Sequence, residues 1–189
     1  LSSSSAASDV YKRQAMGVAD SGSGSLPFHD VRSRVLLDDL CTRIKSEPSW
    51  EINFQSLSEE NATARRQLML ATQILKHVDC DQPIRLLIAE CEKPVTIMTA
   101  LYLAYKFGIA DRLDISPLFE TTFGLEHGVD LIDQLLGHEV FCAYVRQRGR
   151  IAIETGFSDA GRFIGQVSAN LAIESCLLYT SDAADEEDS

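Results

Sequence analysis

The sequence predicts an α/β fold in which about three strand–helix units follow two helices. Three apolar runs, at residues 84–89, 114–119 and 151–157, are too short for helices and are bounded by polar residues, which indicates buried strands. A helical pattern follows each run. Strands that alternate with helices through short connections are expected to be parallel and joined by right-handed crossovers. Three such units fit either an open doubly wound sheet or part of a (β/α)8 barrel, and no internal repeat decides between them.

The two leading helices are predicted from apolar spacing and from residues that start or end a helix. Residues 31–45 carry one apolar face, and Pro48 follows that helix. Ser58 is placed to cap a second helix, which carries Leu68, Ala71, Ile74 and Leu75 on its apolar side.

The later helices are predicted at residues 95–107, 125–136, 139–146 and 161–173. Pro94 suits the first turn of the first of these helices, and Gly108 suits its end. The last helix is expected to turn Phe163, Ile164, Val167 and Leu171 towards the core.

Composition narrows the range of functions. The net charge of −11 over 189 residues argues against a nucleic-acid partner and against docking on anionic membranes. No apolar run reaches the roughly 18–20 residues that a membrane span needs. The five cysteines have no CxxC or zinc-site spacing, which predicts free thiols in a cytoplasmic protein.

Both ends of the sequence resemble translated adapter sequence from DNA library preparation. One DNA stretch encodes residues 4–14, and its reverse complement in another frame encodes residues 176–186. Because chance rarely produces that relation, we expect residues 1–14 and 175–189 to be non-native, adapter-derived tails. The alternative is a genuine disordered tail at each end. Residues 15–174 are then the native segment, a piece of a longer protein.

Acidic residues follow each predicted strand. The first strand ends at Glu90 and Glu92, the second at Glu120, and the third near Asp159. Active sites of both candidate architectures lie beyond the carboxyl ends of the strands. Adjacent strands stand about 4.8 Å apart, so Glu120 and Asp159 could share a hard cation such as Mg²⁺. Alternatively, Asp159 caps the next helix, and Glu90 and Glu92 are expected to be solvated.

Other catalytic patterns are absent from the sequence. The four histidines are dispersed, and none is placed with a Ser or Cys in a way that suggests a nucleophile. There is no GxGxxG segment and no P-loop lysine, so nucleotide binding has no support.

Three segments resemble the phosphoenolpyruvate carboxylase family, in family order and at near-family spacing. Residues 117–121 read PLFET, as in the family, and residues 155–162, TGFSDAGR, resemble its GYSDS-x-K-D-x-G segment. Residues 87–94, LIAECEKP, are similar to its ISM-x-K-T-P-S-D segment. The resemblance implies that residues 15–174 form about three βα units of a partial (β/α)8 TIM-type barrel domain with additional preceding helices.

The resemblance also implies a reaction, in which phosphoenolpyruvate and bicarbonate give oxaloacetate and phosphate. The family holds Mg²⁺ or Mn²⁺ with the Glu of PLFET and the Asp of GYSD, which correspond to Glu120 and Asp159. The family usually has a lysine three residues after that Asp, and Arg162 stands there in this chain. Arg162 is the implied catalytic basic group near bicarbonate, or alternatively a structural ion-pair partner. The family is cytoplasmic and typically a homotetramer.

Departures from the family pattern leave alternatives open. Phe157 replaces the usual Tyr, and Thr122 to Leu125 differ from the family's continuation, which indicates a divergent subgroup. The family's catalytic His and its HGRGG-type loop are outside this chain, so the isolated chain is predicted to be inactive. The alternatives are another Mg²⁺-dependent barrel enzyme acting on phosphoenolpyruvate or pyruvate, a non-catalytic barrel fragment, and a reading frame that is never translated.

Overall fold

The computed structural model describes residues 31–78, 83–156, 165, 167 and 169–174. Residues 167 and 169–174 are helical. Within these ranges, no helix is both long and apolar enough to cross a bilayer. The other elements are α1 (Val31–Ser46), α2 (Phe54–Glu59), α3 (Thr63–His77), β1 (Ile84–Ile88), α4 (Pro94–Lys106), β2 (Leu113–Phe119), α5 (Thr122–Leu136), α6 (Glu139–Arg148) and β3 (Glu154–Thr155).

The three strands form one parallel sheet in the order β1–β2–β3. β1 pairs with β2 along its whole length, starting with Ile84 opposite Leu113. β2 pairs with β3 only near its end, where Leu118 lies opposite Glu154. The predicted parallel α/β arrangement is therefore confirmed. Because the strands are parallel, their carboxyl ends share one side of the sheet, which we term the carboxyl edge.

Helix α4 lies at the centre of the hydrophobic core. Met98 and Leu101 are fully buried, and the helix contacts α1, α5 and β2. Pro94 is its first residue, and Gly108 follows its end with a φ of 66°. Both residues therefore act as predicted, since Pro suits a first helical turn and Gly adopts a left-handed conformation without steric cost.

The strand β3 is shorter than predicted, because a tyrosine hydroxyl occupies the edge with which it would pair. The Tyr144 hydroxyl accepts a hydrogen bond from the Ile115 N–H at 2.9 Å and donates one to the Leu113 C=O at 2.8 Å. These are the groups that a parallel neighbouring strand would bind. Residues 151–153 are therefore not paired as a strand, and Phe157 lies outside the described residues.

The predicted cap of the second helix is wrong. Ser58 lies inside the short helix α2, where its hydroxyl donates to the Gln55 C=O at 2.7 Å. Asn53 caps α2 instead, through a reciprocal pair of hydrogen bonds with Ser56. Helix α3 then begins after Ala62 without a side-chain cap. Ile74, which is predicted on the apolar side of this helix, is 38% exposed.

The inward face predicted for the last helix is wrong at Val167 and Leu171, while Phe163 and Ile164 lie outside the described residues. Val167 and Leu171, four residues apart on one side of the helix, are 75% and 61% exposed. The buried side carries Ala169, with Ala172 and Ile173 partly buried next to it. A spacing of three and four residues places these side chains on one face.

Lys106, at the end of α4, is the largest fully buried side chain in the described part of the chain. Its Nζ donates to the Glu47 C=O at 2.5 Å and to the Pro48 C=O at 3.1 Å. The Lys106 C=O accepts a hydrogen bond from the Trp50 N–H at 2.7 Å. These bonds fix the segment after α1 against the core.

Candidate functional site

Glu120 is the first residue after β2 and lies at the carboxyl edge, as predicted. Its side chain is half-buried. The carboxylate oxygen Oε1 accepts a hydrogen bond from the Glu90 N–H at 3.0 Å. Hydrogen bonds to a charged acceptor are stronger than neutral ones, so this contact fixes the orientation of the carboxylate.

Gly156, immediately after β3, lies beside Glu120. Its N–H donates to the Phe119 C=O at 2.9 Å. A Cβ placed at residue 156 would lie 3.2 Å from the Glu120 Cβ and 3.8 Å from Oε2. The lack of a side chain at this position avoids a close contact with the base of the Glu120 side chain.

The segment after β1 is held against the same edge. The Thr121 hydroxyl donates to Oε1 of Glu92 at 2.7 Å, and Glu90 has a left-handed backbone with a φ of 48°. Glu90 and Glu92 are both half-buried. The expectation that Glu92 is solvated is wrong, because the Thr121 hydroxyl binds its carboxylate. Glu120 binds the main chain of Glu90, which does not test the solvation of the Glu90 side chain.

The start of α5 and the end of β2 hold the chain on either side of Glu120. The Thr121 hydroxyl accepts a hydrogen bond from the Gly124 N–H at 3.0 Å and so caps α5. The fully buried Phe119 ring packs against Gly128, where an added Cβ would lie only 2.9 Å from ring carbons. Side chains on strand and helix ends are positioned more tightly than those on loops, which suits a ligand.

The other two predicted site residues, Asp159 and Arg162, lie outside the described residues. Among those that are described, no group of three or more His, Cys, Asp or Glu side chains could hold a metal ion. Mg²⁺ commonly takes only one or two protein carboxylates, with water and substrate oxygens completing its shell. A half-buried carboxylate at a strand end, with one oxygen oriented by a main-chain N–H, fits that preference.

A second group of titratable side chains joins α1 to the residue just before α6. The Cys41 Sγ lies 3.7 Å from Nδ1 of His138, and Oδ1 of Asp38 lies 3.8 Å from the same nitrogen. Burial and the Asp38 charge raise the pKa of the Cys41 thiol, so the thiol stays protonated and is a poor nucleophile. Sequence analysis missed this contact because 97 residues separate Cys41 from His138.

Asp114 lies near the opposite end of β2 and binds two arginines. Its Oδ1 accepts from Arg148 and its Oδ2 from Arg150, each at 2.7 Å. Burial alone would raise the pKa of Asp114, but hydrogen bonds from Arg150 and Arg148, and their charges, hold it below the ordinary value. Because this cluster lies far along β2 from Glu120, we interpret it as a structural tie between α6 and the sheet.

Comparison with known proteins adds to this geometry. The family model for phosphoenolpyruvate carboxylase matches residues 30–177. The chain belongs to the phosphoenolpyruvate carboxylase family. The matched range includes Glu120, Asp159 and Arg162, and it confirms the resemblance seen in the sequence motifs.

Individual relatives match shorter parts of the chain. It is 36% identical over 69 residues to the phosphoenolpyruvate carboxylase of Thermus sp. (strain 71), which is 36% of this chain and 8% of that protein. The Xanthomonas campestris pv. campestris (strain 8004) enzyme is 31% identical over 96 residues, 48% of this chain and 11% of that protein. The Tolumonas auensis enzyme is 24% identical over 141 residues, 75% of this chain and 15% of that protein. The chain thus spans 8–15% of the length of these relatives. No solved structure matches it.

Proposed function

We propose that residues 15–174 form part of the active-site barrel of a phosphoenolpyruvate carboxylase. The parent enzyme would carboxylate phosphoenolpyruvate with bicarbonate, giving oxaloacetate and phosphate, as a cytoplasmic homotetramer. Family membership supports the reaction class. The observation that carries the assignment of the site is the oriented Glu120 carboxylate at the carboxyl end of a parallel strand, where barrel enzymes hold their catalytic groups. The strand order β1–β2–β3 follows chain order, which is compatible with part of a barrel.

We propose that Glu120 and Asp159 hold Mg²⁺ or Mn²⁺ in the parent enzyme. When bound, the ion would polarise the oxygens of phosphoenolpyruvate and stabilise negative charge that develops on the substrate. Glu120 contributes a hard carboxylate oxygen, and the Glu90 N–H fixes its orientation. Gly156 avoids a close contact with the Glu120 Cβ.

Arg162 is proposed to neutralise negative charge near bicarbonate. A guanidinium keeps its positive charge at any physiological pH, and its planar donors match the geometry of a carboxylate or carbonate. Arg162→Lys in the full-length parent is expected to keep activity partly, whereas Arg162→Met removes it. Equal activity of Arg162→Met and the wild type would contradict the role.

The metal proposal is tested by titrating Mn²⁺ into the purified chain and measuring free ion by electron paramagnetic resonance. Glu120→Gln keeps the size of the side chain but removes its charge, and is expected to weaken binding by at least about tenfold. Glu126→Gln, on an exposed position of α5, is the matched control and is expected to bind Mn²⁺ like the wild type. Unchanged affinity in Glu120→Gln would refute the proposal.

The isolated chain is expected to be inactive. It spans only 8–15% of the length of its relatives, so the chain would lack most of the residues that bind the substrates in those proteins. Oxaloacetate production by the purified chain, followed in a coupled assay with malate dehydrogenase, would contradict this expectation.

We propose that residues 1–14 and 175–189 are non-native, adapter-derived tails. A variant that lacks both tails is expected to unfold at the same temperature as the full chain and to bind Mn²⁺ with the same affinity. A clear loss of stability on their removal would show that the tails belong to the fold.

A further inference from the structure

The hydrogen-bond ladder between β1 and β2 shifts by one residue beside Glu120. The Ile84 N–H donates to the Arg112 C=O at 2.9 Å. Since strand hydrogen bonds repeat every second residue, the same ladder assigns the Leu118 C=O to the N–H of Glu90. In the structure the Leu118 C=O accepts instead from the Cys91 N–H, at 3.2 Å. One extra residue is therefore inserted at the end of β1, as in a β-bulge.

The extra residue releases the Glu90 N–H from the ladder. That N–H donates to Oε1 of Glu120 at 3.0 Å. The left-handed backbone of Glu90, with a φ of 48°, is uncommon for a residue with a side chain. Such conformations persist where the surrounding structure fixes them, and they cluster at functional sites.

The segment that carries the bulge is fixed on its far side as well. Oε1 of Glu92 accepts a hydrogen bond from the Thr121 hydroxyl at 2.7 Å, and that hydroxyl also caps α5. Leu118, two residues before Glu120, and Thr121, directly after it, therefore hold the same segment, because Leu118 binds Cys91 and Thr121 binds Glu92. These two bonds restrain the segment that carries the Glu90 N–H.

We propose that the bulge at Glu90 is a positioning device for the metal ligand Glu120. The main-chain N–H of Glu90 donates a hydrogen bond to Oε1 of Glu120. The other oxygen, Oε2, lies on the side of Gly156 and is the one presented to the ion. The side-chain carboxylate of Glu90 is not a ligand. This inference rests on the proposed metal-binding role of Glu120.

Two substitutions at residue 90 separate the main chain from the side chain. Glu90→Gly keeps the N–H and accepts a left-handed backbone readily, so its Mn²⁺ affinity is expected to stay within about twofold of the wild type. Glu90→Val disfavours that backbone, because a β-branched residue rarely adopts a positive φ, and is expected to weaken Mn²⁺ binding about tenfold. Circular dichroism and the unfolding temperature of each variant check that it folds.

A measurement without metal tests the hydrogen bond itself. In the metal-free wild-type chain, the Glu90 amide proton is expected to exchange slowly with solvent, and Glu120→Ala is expected to speed its exchange by about tenfold or more. Glu126→Ala is the control and is expected to leave that exchange rate unchanged.

The outcomes distinguish this inference from the metal proposal. If Glu90→Gly loses as much affinity as Glu90→Val, the carboxylate is a ligand and the inference is wrong. If Glu120→Gln abolishes binding while Glu90→Val binds like the wild type, the inference fails and the metal proposal stands. If Glu120→Gln binds normally, the metal proposal fails, and the exchange rate of the Glu90 amide then shows whether the bulge still orients Glu120.

Discussion

Lys106→Met is expected to destabilise the fold far more than the same change at Lys45. The Lys106 side chain is 1% exposed and its Nζ donates to the carbonyl groups of Glu47 and Pro48. Nζ also lies 3.5 Å from the Glu47 carboxylate. Met has similar length and fills the same space, so the substitution removes the donors without opening a large cavity.

The expected loss follows from the groups left without partners. An unsatisfied buried or partly buried carbonyl costs roughly 1–3 kcal/mol. The substitution also removes the cost of burying an ammonium group, which limits the net loss. We therefore expect Lys106→Met to lower the free energy of unfolding by about 2–4 kcal/mol.

Urea unfolding followed by circular dichroism measures this loss, with Lys45→Met as the matched control. The Lys45 Nζ also lies 2.5 Å from a carboxylate oxygen, on Glu139, but both side chains are exposed. Exposed ion pairs contribute little to stability, so Lys45→Met is expected to unfold at the wild-type midpoint. Equal midpoints for the two variants would refute the reasoning that burial decides the effect.

Three further substitutions test the packing around the sheet. Tyr144→Phe leaves the Ile115 N–H and Leu113 C=O without their partner. It should lower the free energy of unfolding in urea by about 1–3 kcal/mol. Tyr105→Phe is the control, since the Tyr105 hydroxyl has no hydrogen bond to another described residue, and should lower it little. Because the pKa of Asp114 is lowered, the stability that its ion pairs contribute is fully present above the ordinary carboxyl value of 3.8 and is lost as the pH falls below it. Asp114→Asn should therefore flatten the fall in unfolding temperature between pH 5 and pH 2. An unchanged pH profile would contradict the ion-pair assignment. Gly128→Ala places a Cβ 2.9 Å from the Phe119 ring and should destabilise by about 1–3 kcal/mol, despite a better helix propensity; a more stable variant would show that the ring moves freely.

The elements predicted well are those that local sequence determines. β1 and α4 follow from an apolar run that is too short for a helix and from a helix that starts at Pro94 and ends before Gly108. The signals that define these two elements lie within the elements or next to them in the chain, although both pack against distant parts of it. The length of β3 could not be predicted, because the Tyr144 hydroxyl that displaces it comes from α6 and binds β2 across the fold.

The candidate site was predicted in part. The position of Glu120 follows from the rule that parallel strands deliver their last residues to one edge, and it is confirmed by the structure. The contacts of Glu90 and Glu92 could not be predicted, because they depend on a one-residue shift in strand register that leaves no pattern in the sequence. The hydrogen-bond partners of Lys106 could not be predicted either, because they lie 58 and 59 residues away in the chain.

The most direct test of the account is a crystal structure of the chain with Mn²⁺, in which anomalous scattering locates the ion. The account predicts an ion about 2.1 Å from Oε2 of Glu120 and from a carboxylate oxygen of Asp159, with Oε1 still bound to the Glu90 N–H. An ion bound elsewhere, or Glu120 and Asp159 carboxylates too far apart for one ion to bridge, would contradict it.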